Sequence, residues 1–133
     1  MNSDIEEPIA DRHAILASME DVVREFFRTQ FHEKPRLLTS SYVNGHIHVH
    51  GYRPVPPAEI RLLANPAMTD QLKKYHEQLF HTTQQSLKLL LSHATGKNVT
   101  AVECVFDPAQ HEFDIVVIVD QEQNSQAHSV SSE

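Results

Sequence analysis

Apolar residues recur at three- and four-residue steps between about Glu7 and Phe31: Ile15, Leu16, Met19, Val22, Val23, Phe26 and Phe27. That spacing lays one apolar stripe along an amphipathic helix, and Pro8 suits its first turn. Pro35 ends the segment, and the period then changes. In "RLLTSSYVNGHIHVHGYR" polar and apolar residues alternate on both sides of Asn44-Gly45. Asn-Gly predicts a tight hairpin, because a type I′ turn needs positive φ at both central residues. A two-residue loop sets Val43 opposite His46, Ser41 opposite His48 and Thr39 opposite His50. Leu38, Tyr42, Ile47 and Val49 then share the other face.

The second half repeats the theme. Prolines in "RPVPPAEIRLLANP" break the strand, and "AEIRLL" has the pattern of one or two helical turns. Asn65-Pro66 predicts a capped start for a second long helix. Its expected inward stripe is Met68, Leu72, Tyr75, Leu79, Thr83, Leu87, Leu90, Leu91 and Ala94, and Gly96 stops it. "VTAVECVFD" and "EFDIVVIVD" are rich in β-branched residues and are joined by "PAQH", which predicts another hairpin. Val102, Cys104 and Phe106 share a face there with Phe113, Ile115, Val117 and Val119. The fold class expected is α+β: an αββαββ pseudo-repeat, with a four-stranded antiparallel sheet and two long helices on one face. Residues 1–6 are expected to be a flexible lead-in, 7–120 a single domain, and 121–133 a disordered polar tail.

Helices on one side leave the other side of the sheet open. Val43, His46, His48, His50 and Tyr52 fall on it from the first hairpin. Ala101, Glu103, Val105, Asp114, Val116 and Ile118 fall on it from the second. Such a surface is too apolar to be left wholly to water, and contiguous apolar patches mark interaction sites. The expectation is a homodimer, through meeting sheet faces or segments of the second chain. The competing expectation is that the Pro-rich segment 53–66 folds back over the face. Tyr52, Arg53, Glu103, Val105, Val116 and Ile118 are the candidate ligand or interface residues.

Composition narrows the partners. The 133 residues carry 18 acidic and 11 basic side chains, a net charge of −7. That argues against nucleic acid and anionic membrane surfaces, which need a Lys/Arg patch. No apolar run approaches the ~20 residues of a membrane-spanning helix, so no direct insertion is expected. "MNSDIEEP" lacks the basic-then-apolar order of a signal peptide, and Cys104 is the lone cysteine, in the apolar run "VECVF". Together these predict a cytoplasmic protein with a buried, reduced thiol.

The chain has ten histidines. His46, His48 and His50 alternate along one strand face, with neighbours ~6.5–7 Å apart. Two imidazoles at that spacing can converge on one divalent metal such as zinc, whereas His46 and His50 are too far apart to share it easily. Glu103, Asp114 or a second chain's histidine would have to complete the site. The other reading is a polar face whose imidazoles pair with Ser41, Thr39 or a carboxylate. "HEQLFH" fails as a zinc-protease helix, because His76 and His81 are five apart and lie on different helix faces. Neither a Gly-rich phosphate loop nor a Gly-X-Ser-X-Gly elbow occurs.

The order of these elements resembles the small bacterial MpsC-type domain over about residues 12–119. The most specific stretches are the helix exit "FFRTQFHEKP", the junction "HGYRPVPPAEIRLLANP" and the strand entry "ATGKNVTAVECVFD". A Gly usual in the helix exit is His32 here, Lys73-Lys74 stand where an arginine is expected early in the long helix, and the histidine triplet is not a family feature. The resemblance implies a non-enzymatic cytosolic accessory or regulatory protein. Its family is linked by name to a sodium-translocating, membrane-potential-generating system whose membrane components also serve inorganic-carbon uptake. It supplies no catalytic residues to carry over.

Overall fold

The first apolar stripe folds as α1 (Ile9–Phe26) in a computed structural model that describes residues 9–120. The expected lead-in at 1–6 and tail at 121–133 lie outside the described residues. After Phe26 the helix widens into one π-helical turn, Phe27–Phe31, which His32 ends in a left-handed conformation at φ 56°. The Glu33 N–H donates back to the Phe27 carbonyl at 3.1 Å and closes the turn. A side chain in that conformation costs on the order of 1 kcal/mol. His32→Gly is therefore expected to shift the urea unfolding midpoint little or upwards, relief of strain offsetting the entropy of a more flexible unfolded chain.

The remaining elements are β1 (Arg36–Val43), β2 (His46–Tyr52), α2 (Pro57–Leu62), α3 (Pro66–Thr95), β3 (Val99–Asp107) and β4 (Glu112–Val119). The strands form one antiparallel sheet in the order β1-β2-β4-β3. Asn44 (φ 52°) and Gly45 (φ 83°) make the type I′ turn. The expected register follows, with Val43 on His46, Ser41 on His48 and Thr39 on His50. Asn65 caps α3 by accepting a hydrogen bond from the Ala67 N–H at 2.9 Å, and Gly96 ends it at φ 74°.

Met19, Val23, Phe26 and Phe27 of the first helical segment close over Ile47, Val49, Ile115 and Val117 of the sheet. Phe27 stacks on Phe113 with ring centroids 4.4 Å apart. α3 adds His76, Phe80, Leu87 and Leu91 to this interior. That corrects the expected stripe: Tyr75 is 59% exposed and Leu90 50%. The true stripe lies one residue on from Tyr75 and Leu79, and it admits a histidine that a search for apolar residues passes over. Cys104 packs half-buried against the core, and burial raises its thiol pKa well above the usual range.

Candidate functional site

Alternation along β2 is strict. Ile47, Val49 and Gly51 are buried beneath the helices, and His46, His48, His50 and Tyr52 stand on the opposite side, each partly exposed. β4 alternates in phase, turning Glu112, Asp114, Val116 and Ile118 outward. β3 contributes Ala101, Glu103, Val105 and Asp107. Strand pairing thus places all eleven residues assigned to the open side from sequence, with Ile118 opposite Ala101 and Val43 opposite His46.

The imidazoles are engaged diagonally. His48 Nδ1 lies 2.9 Å from Asp114 Oδ2, and His50 Nε2 lies 3.5 Å from Glu112 Oε1. Because Asp114 pairs directly with His50 and Glu112 with Tyr52, each histidine leans one row along to reach its carboxylate. The same diagonal from His46 meets Val116, and His46 Nδ1 is buried without a hydrogen-bond partner. His50 also sets its ring edge-on to Tyr52, centroids 5.4 Å apart. Glu112 was not foreseen as a site residue, although stepping back two positions from Asp114 reaches it.

This geometry bears on chemistry. Among the described residues no three His, Cys, Asp or Glu side chains are grouped to hold a metal ion. Two of the three imidazoles already face carboxylates singly, and Glu103 lies beyond Val116, two strands from His48. Ser41, His48 and Asp114 stand in a serine-hydrolase order across three strands, but Ser41 makes no hydrogen bond to His48. The central strands spend their backbone N–H groups on the sheet ladder, where they cannot form an oxyanion hole.

Arg53 does not belong to this surface. Strand alternation turns it inward, where it is 3% exposed. Its Nε and Nη2 donate to the two oxygens of Glu33 at 3.0 and 2.6 Å, and Nη1 donates to Glu59 at 3.2 Å. Glu59 lies on α2, which buries none of its own residues, so segment 53–66 is tied in by this cluster. The partners of Arg53 lie 20 residues before it and 6 after it, at separations that no local spacing rule would single out.

A family model described as "Na+-translocating membrane potential-generating system (MpsC)" matches residues 11–121. The chain belongs to the MpsC family. No curated protein and no solved structure matches it. The matched region of this MpsC-family chain runs through both hairpins and both long helices, so it includes the whole open face. Among the described residues no helix is long and apolar enough to cross a membrane.

His76 gives the domain a pH dependence that is separate from the open face. It is 4% exposed, and its ring lies 5.4 Å from that of Phe106. Burial lowers its pKa below the ordinary 6.5, the Arg53 charge lowers it further, and Glu59 and Glu33 act the other way. The folded state therefore prefers the neutral ring. Its contribution to stability is complete above the unfolded value and is lost as pH falls through 6.5 towards the folded value. In urea titrations at a series of pH values, His76→Leu is expected to lose part of the acid-side slope. The variant should gain on the wild type as pH drops from neutral to 5. Parallel profiles would contradict the assignment.

Proposed function

We propose that this MpsC-family protein is a non-catalytic accessory or regulatory protein, working in the cytoplasm for a membrane-potential-generating Na+ system, and that it works by offering the uncovered side of its sheet to a protein. The family description supports the system, and the open face supports the mode of action. The single observation that carries the reading is the character of that face. Val116 and Ile118 stand on a central strand beside imidazole–carboxylate pairs, and Val105 on the adjoining edge strand is 54% exposed. Rigid central strands that present aliphatic and hydrogen-bonding groups together suit recognition of another protein.

The test is Val116→Lys. The side chain points away from the core, so the thermal midpoint is expected to move by only a few degrees. In cells that depend on this protein, the Na+-dependent membrane potential is expected to collapse to the level of a deletion. Full potential in cells carrying folded Val116→Lys protein would overturn the reading. So would stoichiometric zinc or nickel in protein purified without a His-tag, because the histidines would then be metal ligands.

A further inference from the structure

We infer that the occupant of the open face is a second copy of this chain, packed sheet to sheet about a two-fold axis that runs along the strands. The inference rests on the reading of that face as a binding surface and names what binds there. It comes from the distribution of charge between the two hairpins. On the outer side of β1 and β2 the titratable residues are Arg36, His46, His48, His50 and Tyr52, with no carboxylate among them. On the outer side of β4 and β3 they are Glu112, Asp114, Glu103 and Asp107, with no basic group among them. One half of the face can donate hydrogen bonds and the other can only accept them, apart from its aliphatic residues.

A surface divided this way is complementary to itself under one operation. Rotation about an axis parallel to the strands keeps each row in place and reverses the strand order. β2 then lies over β4 of the second copy, and β1 lies over its β3. The strand pairings place Arg36, Tyr52, Glu112 and Asp107 in one row, and Thr39, His50, Asp114 and Val105 in the next. Arg36 therefore meets Asp107 of the second copy, and His50 meets its Asp114. An imidazole N–H donates to a carboxylate whether or not the ring is charged. In-plane rotation about an axis across the strands would instead lay histidine on histidine and carboxylate on carboxylate. Face-to-face sheets pack ~10 Å apart and roughly 30° from aligned, which suits the side chains present.

Sedimentation and light scattering on the full chain test this with a charge swap. Wild-type protein is expected to dimerise. His50→Glu alone and Asp114→Lys alone should each weaken the dimer by about tenfold or more, because the first sets two carboxylates together and the second takes away the acceptor that His50 meets. Mixing the two should restore a heterodimer, because one contact becomes Glu on Lys and the other stays native. Arg36→Glu and Asp107→Lys, at exposed strand ends, ask the same question if Asp114→Lys protein does not fold. A wild-type monomer at all concentrations, a dimer indifferent to both swaps, or a mixture that stays monomeric would overturn the second copy. If the wild type is monomeric while Val116→Lys still abolishes membrane potential, the binding surface stands and its occupant is another protein. An intact dimer with full potential in Val116→Lys cells overturns the binding surface itself.

Discussion

Arg53→Ala is expected to destabilise the domain by about 3–5 kcal/mol, because it breaks a buried ion-pair cluster from its centre. The guanidinium is 3% exposed, and Glu33 and Glu59 are 18% and 14% exposed. Removing the arginine leaves two carboxylates facing each other with little water to solvate them. The backbone tie from the Arg53 N–H to the His111 carbonyl at 2.8 Å survives the substitution, so the loss belongs to the side chain. The two acids should not count equally. Glu33 grips the guanidinium with both oxygens, whereas Glu59 makes one 3.2 Å contact from a helix with no buried residue. Glu33→Gln is expected to cost more than Glu59→Gln in urea unfolding. A loss of under about 1 kcal/mol for Arg53→Ala would mean that the cluster behaves as a surface ion pair.

Gly51→Ala is expected to cost about 1–3 kcal/mol by overpacking. Gly51 sits mid-sheet on the buried side of β2, directly opposite Phe113. A Cβ there would stand 2.6 Å from Leu38 Cδ2 and 2.8 Å from Phe113 Cζ. Leu38 can swing its methyl aside. Phe113 has less room, because its ring is stacked on Phe27, which is fully buried. The substitution should lower the thermal midpoint and leave the outer face unchanged. It therefore separates loss of stability from loss of partner binding. An unchanged midpoint would show that the ring moves freely.

The features legible in the sequence are those with local causes. Asn44-Gly45 fixes a turn, the turn fixes the β1–β2 register, and alternation then puts all three histidines on one side. Asn65-Pro66 and Gly96 bracket α3 for similarly local reasons. The α3 stripe was misplaced because a polar residue, His76, occupies an interior position that its packing on Phe106 makes tolerable. The Arg53 cluster and the His48–Asp114 pair were hidden for a different reason. Both depend on how β2 lies against segments elsewhere in the chain, and His48 and Asp114 are 66 residues apart. No short-range spacing encodes the β2–β4 register, so Asp114 appeared on the correct side without an assigned neighbour.

On the proposed reading the helices shelter one side of the sheet and the other side is kept for binding. Carbethoxylation of the histidines, mapped by mass spectrometry on dilute and on concentrated protein, reports on both sides at once. The prediction is that His48 and His50 react readily at dilution and become protected on concentration, with His76 protected throughout. If His48 and His50 are already protected at the greatest dilution, while His76 reacts, the sheltered and open sides have been assigned the wrong way round.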